Sequence, residues 1–326
     1  MKTGKLDSEL LKKIVFEHIE YKSKDVLVRP GIGKDCAIVD YGENVCVLST
    51  DPITGATNEV GRLAVHISCN DIASEGLEPL GIMLAIMVPE GTTESEIDDI
   101  MKQAGEEAEK LKVEIIGGHT EITNAVNKTI IVSTAIGKVS KERYENRDDV
   151  KFGDAVILTK LAGLEGTGII AYDNEKALFE VLTPEEIHNA KAMLEDVSVI
   201  REGVIAGDIG VSSMHDVTEG GILGAIWEIC ESSKVGATVY FDKIPVAKET
   251  LKICNFYDLD YLKLISSGCM IITVSEKKKD KLLKALKGEG ILATEIGVIQ
   301  EKAIQLIKDG EILEIEPPES DELYKV

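Results

Sequence analysis

One aspartate stands at the start of a predicted strand, and a second stands at the end of the neighbouring predicted strand. Asp35 precedes an apolar run, and Asp51 follows a second apolar run at residues 45–49, with a glycine-containing turn between the two runs. This pattern predicts an antiparallel hairpin whose ends place both carboxylates side by side. Two carboxylates beside a glycine-lined loop that also holds Lys34 suit Mg²⁺ carrying a phosphorylated ligand. The alternative is a pair of solvated turn aspartates, because Asp is common in turns.

Further polar groups stand near the ends of other predicted strands and helices. An Asn-Asp pair near a helix end can face Asp51, and a Gly-Gly pair before a His and a Glu allows close backbone approach to metal or phosphate. An Asp near a helix N-terminus is placed to attract anions and their metals. Each stretch also fits an ordinary turn or cap. The stretches are Asn70-Asp71, residues 117–121 (GGHTE), residues 215–221 (HDVTEGG) and residues 266–268 (SSG).

The first half of the chain reads β-β-α-β-α-β-β. Apolar spacing predicts a helix at 59–75, and Thr93 with Glu96 forms a capping box before a second, long helix. The strand that leads to Gly117-Gly118 is expected to break there, in a turn. The other predicted strands of this half lie at 80–88, 113–116 and 129–139.

A charged run at residues 140–151 predicts a boundary between an N-terminal domain, residues 1–145, and a C-terminal domain, residues 146–326. The second domain contains a helix capped at Thr183. Its predicted strands lie at 155–159, 238–241, 270–274 and 295–299, and a further strand ends at Met214. A helix is predicted at 220–232. The acidic, proline-broken end of the chain, EIEPPESDELYKV, is expected to be a solvated tail.

Composition limits the classes of partner. The net charge is −22, from 58 acidic and 36 basic residues, so the surface repels nucleic acid and anionic membranes. An anionic ligand must therefore enter with a metal or bind at a local patch. The six cysteines form no CxxC pair and are expected to be reduced and buried. No apolar signal core or membrane-spanning run is present, which favours a cytoplasmic protein.

The motifs occur in a recognisable order: GIGKDCA, STD, CNDIASEGLEP, GGHTE, HDVTEGGI and SSGCMI, within residues 24–299. This succession resembles the aminoimidazole-ribonucleotide (AIR) synthetase superfamily, and its overall pattern looks most like the HypE family of hydrogenase maturation. The resemblance implies a two-domain α/β (α+β) fold. The strands of the N-terminal α/β domain would pair with a second subunit in a homodimeric β-barrel. The C-terminal α/β domain would cover a cleft for ATP and Mg²⁺.

The resemblance also implies roles for individual residues. The acidic motif positions would hold the metal ions: Asp35, Asp51, Asp71, Glu121 and Asp216. Nucleotide contacts would come from Gly33, Lys34, Asn70, Gly117, Gly118, His119, Thr120 and Gly220. The residues expected to serve catalysis are Asp51, Asp216 and Lys34.

The implied function is ATP- and Mg²⁺-dependent activation of an amide- or carbamoyl-type oxygen by phosphoryl transfer, on a small-molecule or protein-borne acceptor. The HypE family carries its substrate on a C-terminal cysteine, whereas no cysteine follows Cys269 here. This difference leaves a second hypothesis open, a non-catalytic nucleotide-binding maturation or partner protein. A third, ranked lower, is a HypE-type enzyme that uses another thiol such as Cys254.

Overall fold

Two β-sheets organise the chain. The computed structural model describes residues 4–56, 58–145, 149–318 and 320–326. The first sheet has the order β1-β2-β3-β6-β4-β5, and its neighbours are antiparallel except for β4 and β5. Its strands are β1 (Val26–Val28), β2 (Ala37–Tyr41), β3 (Asn44–Ile53), β4 (Pro79–Val88), β5 (Glu114–Ile122) and β6 (Ile130–Ser140).

One face of the first sheet is covered by helices. Helix α2 is buried almost all round because it lies between the sheet and its neighbouring helices. The capping box of Thr93 and Glu96 forms as predicted, at the start of α3. The helices of this half are α1 (Ser8–Ile14), α2 (Val60–Ser74), α3 (Glu94–Leu111) and α4 (Lys141–Glu145).

The opposite face of the first sheet keeps apolar side chains at the surface. Along β3, buried side chains alternate with half-buried or exposed ones, so only one face enters the core. On β2, β4 and β5 the exposed apolar side chains include Tyr41, Leu80, Met83 and Ile116. Exposed apolar side chains on one face of a sheet are typical of an interaction surface.

The second sheet has the order β13-β12-β9-β11-β7-β10-β8, in which only the β12–β9 pair is parallel. Its central strands β7 and β10 are buried at every position. The strands are β7 (Ala155–Thr159), β8 (Ser213–Asp216), β9 (Gly236–Tyr240), β10 (Met270–Val274), β11 (Ala293–Gln300), β12 (Ile304–Lys308) and β13 (Glu311–Glu314). The helices are α5 (Leu164–Asp173), α6 (Glu175–Leu178), α7 (Pro184–Ala192), α8 (Ile200–Ile209), α9 (Gly221–Ser233), α10 (Lys248–Tyr257) and α11 (Glu276–Gly288).

Helix α8 joins the two halves by packing closely on α2. A Cβ at Gly203 would lie only 2.1 Å from the Ala73 carbonyl oxygen, so glycine is needed for this approach. The Asn70 amide adds two hydrogen bonds across the same junction. Its Nδ2 donates to the Val197 carbonyl oxygen at 2.8 Å, and its Oδ1 accepts from the Val199 amide at 2.9 Å. These contacts fix the direction in which α2 presents its polar end.

The fold class and most of the predicted elements are confirmed, with β1 as an additional short strand in the first half. The predicted break at Gly117-Gly118 is wrong, because β5 continues through both glycines to Ile122. Gly118 lets β5 pack against β4, since a Cβ there would lie 2.0 Å from the Leu84 carbonyl oxygen. Among the helices of the described residues, none has the length and apolar character that a bilayer crossing requires.

The solvated tail is also a wrong prediction. Asp321, Glu322 and Leu323 are buried, although the residues before them are rich in acid and proline. The Asp321 carboxylate accepts hydrogen bonds from the backbone amides of Gly220, Ile265 and Leu323 at 2.8–3.2 Å. Those three bonds compensate the burial of the charge and hold the end of the chain against the second half of the fold.

Candidate metal centre and its two cavities

Four aspartates from separate elements converge. Asp35 comes from the loop before β2, Asp51 from β3, Asp71 from α2 and Asp216 from the end of β8. Asp71 interacts electrostatically with the three other carboxylates. Ligand atoms of Asp35, Asp216 and the neighbouring His215 all lie within 4.8 Å of one another. Four of the five carboxylates predicted from the sequence therefore form one cluster, which we call the aspartate cluster.

The aspartate cluster has the donor set of a hard divalent cation. Burial, followed by the charge of Asp216, raises the pKa of Asp71 well above its usual range. Burial and the charge of Asp35 raise the pKa of Asp216 to about 7. Among the described residues, no hydrogen-bond donor reaches the buried Oδ2 of Asp216. A buried carboxylate oxygen without a donor, among carboxylates that repel one another, fits Mg²⁺, which prefers such ligands.

Two serines orient the aspartate cluster. The Ser49 hydroxyl donates to Asp71 Oδ2 and lies 3.2 Å from Asp51 Oδ2. The Ser74 hydroxyl donates to Asp216 Oδ1 at 3.1 Å and accepts from the Asp216 backbone amide at 3.0 Å. Because Ser74 belongs to α2 and Asp216 to β8, this pair also links the two halves at the site.

Positive charge lies on one side of the aspartate cluster. His215 donates from Nδ1 to the Asp216 carbonyl oxygen at 2.7 Å, which leaves Nε2 3.0 Å from Glu228 and 3.6 Å from Asp35. Burial alone would lower the pKa of His215, but the charges of Asp35 and Glu228 raise it to about 10. His215 is therefore an imidazolium at neutral pH, beside the carboxylates.

The sequence analysis missed Lys5. Its Nζ lies 3.3 Å from Thr218 Oγ1, 3.7 Å from Glu228 and 3.9 Å from Glu219. Burial opposes its charge, yet Glu228 and the other nearby carboxylates raise the pKa of Lys5 above its ordinary value. A lysine in a polar N-terminal stretch carries no sequence signal for this position, because only the fold brings it to the second half of the chain.

Two cavities meet at the aspartate cluster. The larger has a volume of about 930 Å³ and lies between the Gly33–Lys34 loop, the end of α2 and the β8 region. The smaller has a volume of about 350 Å³ and extends from Asp51 toward α5 and the C-terminal residues. Asp35 and Asp71 line both cavities. A ligand in either cavity can therefore reach the same carboxylates.

Four further predicted nucleotide contacts lie in different surroundings: Gly33, Lys34, Asn70 and Gly220. Gly33 and the exposed Lys34 line the larger cavity, so Lys34 can turn toward a ligand there. Asn70 is buried, and both ends of its amide are engaged by backbone groups of the second half. The Gly220 amide donates to Asp321 Oδ2 at 2.8 Å. These hydrogen bonds already engage the Asn70 amide and the Gly220 N–H. Asn70 and Gly220 thus support the site and do not offer these polar atoms to a ligand.

The GGHTE stretch lies apart from the aspartate cluster of its own chain. Asp51 pairs with Ser133, which pairs with Leu84, which pairs with Gly118. Three strand spacings place β5 about 14 Å from β3 at this level. The stretch, Gly117, Gly118, His119, Thr120 and Glu121, is exposed along the edge strand, where His119 Nε2 lies 3.4 Å from Glu121 Oε2. The structure does not bring Glu121 to the four aspartates within one chain.

The cysteines are free thiols, and all are buried except the half-buried Cys46. Burial raises the pKa of Cys254 to about 12. Because the thiolate is the reactive form, a thiol with this pKa is a poor nucleophile at neutral pH. This observation weighs against Cys254 as a carrier of substrate.

Comparison with known proteins gives matches over both halves. Residues 33–139 match the N-terminal domain of "AIR synthase related protein", and residues 151–308 match its C-terminal domain. A putative hydrogenase expression/formation protein of Methanocaldococcus jannaschii is 30% identical over 293 residues, 87% of this chain and 84% of that protein. The carbamoyl dehydratase HypE of Bradyrhizobium diazoefficiens is 27% identical over 274 residues, 81% of this chain and 77% of that protein.

Solved structures show the same fold. HypE in a HypE–HypF complex superposes with a TM-score of 0.76 at 22% identity, covering 95% of this chain and 99% of that one. HypE in complex with ATP superposes with a TM-score of 0.72 at 21% identity, covering 98% and 97%. At these identities the structural likeness establishes the two-domain architecture alone.

Proposed function

This chain belongs to the AIR synthase related protein family, and from that premise we propose that it is an ATP- and Mg²⁺-dependent enzyme that activates an amide- or carbamoyl-type oxygen by phosphoryl transfer. The observation that carries the proposal is the convergence of four aspartates at the junction of two cavities. Similarity to a carbamoyl dehydratase and to a fold that binds ATP in another protein supports the same reaction class.

The proposed roles follow from the positions of the side chains. Asp35, Asp51, Asp71 and Asp216 would hold Mg²⁺, which supplies charge neutralisation at transferring phosphate groups. Lys34 lies exposed on the larger cavity and would contact a phosphate oxygen. The imidazolium of His215 would offset part of the negative charge that a triphosphate brings to the aspartate cluster.

We extend the proposal to a homodimer. The open face of the first sheet exposes apolar residues such as Leu80 and Met83, and a second copy would cover it. Glu121 and its neighbours would then act across the interface, since they lie about 14 Å from the aspartates of their own chain. Met83→Glu is expected to shift sedimentation toward the monomer. A monomeric wild type would contradict this part of the proposal.

The division into domains 1–145 and 146–326, the cytoplasmic location and a role in hydrogenase maturation are part of the same proposal. The acceptor is proposed to be a small molecule or a group carried by a partner protein. The HypE–HypF complex among the similar structures supports a protein partner by analogy.

Calorimetry of ATP binding at millimolar Mg²⁺ tests the core of the proposal. We expect wild-type protein to bind and Asp51→Asn to bind at least about tenfold more weakly, because a metal ligand is lost. Asp154→Asn is the control for the same change of side chain, since Asp154 lines neither cavity. Equal binding by wild type and Asp51→Asn would reject the site. Binding without ADP release for any acceptor would favour the non-catalytic nucleotide-binding alternative.

A further inference from the structure

The smaller cavity ends at a second polar group that the proposed reaction does not use. Glu165 lies in the first turn of α5 and lines this cavity together with Ser267. Among the other carboxylates, Glu219 and then Asp321 have the largest electrostatic effect on the pKa of Glu165, larger than that of the four aspartates. Glu165 therefore marks a different end of the cavity from the aspartate cluster.

The polar groups at this end are buried and incompletely bonded. Glu165 is only 3% exposed, and its Oε2 accepts a hydrogen bond from the Ser267 backbone amide at 3.2 Å. The Ser267 hydroxyl lies beside the same carboxyl group, yet it reaches hydrogen-bond geometry with no partner among the described residues. Burial raises the pKa of Glu165 to about 7. A buried hydroxyl without a partner can be completed by a polar ligand, which the adjacent carboxyl group would also contact.

Apolar side chains form part of the wall between the two ends. Ile53, Ile169 and Ile265 line the cavity, and Leu323 and Tyr324 from the end of the chain close one side of it. About 350 Å³ is enough for a compact molecule but small for a nucleotide, which fits the larger cavity better. The shape is that of a site for a short aliphatic ligand with a polar group at its Glu165 end.

Resting on the proposed function, we propose that the smaller cavity is the acceptor subsite and that Glu165, with the Ser267 hydroxyl, recognises an uncharged N–H group of the acceptor. A carboxyl group accepts from an amide N–H, and the adjacent hydroxyl can bond to the amide oxygen. Lys5 also lines this cavity, but its charge is already offset by Glu219 at 3.9 Å and Glu228 at 3.7 Å. A ligand carboxylate would therefore bring a further negative charge to a region that also contains Glu165 and Asp321. The subsite thus selects a neutral amide end over an acid end.

Three probes of one chain length test this selection: butyramide, butyrate and butylamine, each titrated by ligand-observed NMR into full-length protein with Mg²⁺ and ADP. We expect butyramide to bind at least about tenfold more tightly than butyrate, the ratio that one well-made hydrogen bond gives. Glu165→Gln is isosteric, and its amide can donate to a carboxylate. We therefore expect this variant to bind butyrate better than the wild type does. The ratio of butyramide affinity to butyrate affinity should then fall severalfold. Glu249→Gln, another buried glutamate outside both cavities, should keep the wild-type ratio.

Equal affinities for butyramide and butyrate in the wild type would overturn the inference, as would preference for butylamine or an unchanged ratio in Glu165→Gln. Melting temperatures of both variants show whether they fold. If Glu165→Gln does not fold, the three affinities of the wild type still decide the question. Calorimetric binding of Mg²⁺ and ATP to the same samples separates the two proposals. Its absence counts against the proposed function, whereas nucleotide binding without amide selection counts only against the acceptor subsite.

Discussion

Replacing Asp216 by asparagine should stabilise the protein when no divalent cation is present. Burial and the charge of Asp35 raise the pKa of Asp216 from an ordinary 3.8 to about 7. The folded chain thus holds this proton more tightly than the unfolded chain, so stability falls as the pH rises from about 4 through about 7. The destabilisation is complete above pH 7 and disappears below pH 4. The asparagine side chain would remove it and keep an oxygen for Ser74.

A shift of about three pKa units corresponds to about 4 kcal/mol if it belongs to Asp216 alone. Part of it arises from repulsion shared with the neighbouring carboxylates, so we expect a gain of about 2 kcal/mol for Asp216→Asn at pH 8 in EDTA. For a chain of this size that gain raises the melting temperature by about 3 °C. At pH 4.5 the gain should fall to about a quarter of this value.

Added Mg²⁺ should reverse the order. Saturating metal stabilises the wild type by about 2.7 kcal/mol at one hundred times Kd, whereas Asp216→Asn has lost a ligand and should respond weakly. Differential scanning calorimetry at pH 8, with EDTA or with Mg²⁺, measures both effects. Asp154→Asn is the control, because Asp154 is buried away from the aspartate cluster. A variant that is less stable than wild type in EDTA, yet gains as much from Mg²⁺, would refute the reasoning.

Three further changes test the supports of the site by urea unfolding or proteolysis. Asn70→Ala should lose about 2–4 kcal/mol, since it leaves two buried backbone groups of the other half unpaired, and an unchanged midpoint would contradict that role. Gly203→Ala should cost at least about 2 kcal/mol because its Cβ meets the Ala73 carbonyl oxygen, whereas Gly105→Ala, in open space, should be neutral or stabilising. Asp321→Ala should expose the chain end to carboxypeptidase faster than wild type, and equal digestion would show that its three amide bonds do not hold the segment.

Much of the fold was predictable from the sequence because local signals agree with the tertiary structure. The Thr93–Glu96 capping box and the apolar runs of β4 and β10 are examples. The GGHTE strand was mispredicted, since two glycines normally favour a turn. Here they let an exposed edge strand lie close against β4, an effect that depends on the neighbouring strand.

Some residues of the candidate site could likewise be predicted from the sequence, and others could not. The four aspartates could be identified from sequence because each stands at or within three residues of the end of an element and belongs to one of the motifs whose order resembles the family's. Glu165 could not, since an acid in the first turn of a helix ordinarily stabilises the helix dipole and needs no ligand.

Lys5 and Asp321 were missed for a related reason. They belong to polar segments near the two ends of the chain, where composition predicts solvation. Only long-range contacts bring Lys5 to Thr218 and Glu228 and bury Asp321. Both reach the smaller cavity from outside the two sheets, together with Tyr324. The aspartate cluster is thus built from the sheet framework, while the cavity beside it is walled partly by terminal segments. Because terminal segments can change without disturbing either sheet, a change in them would alter the proposed acceptor subsite and leave the aspartate cluster in place.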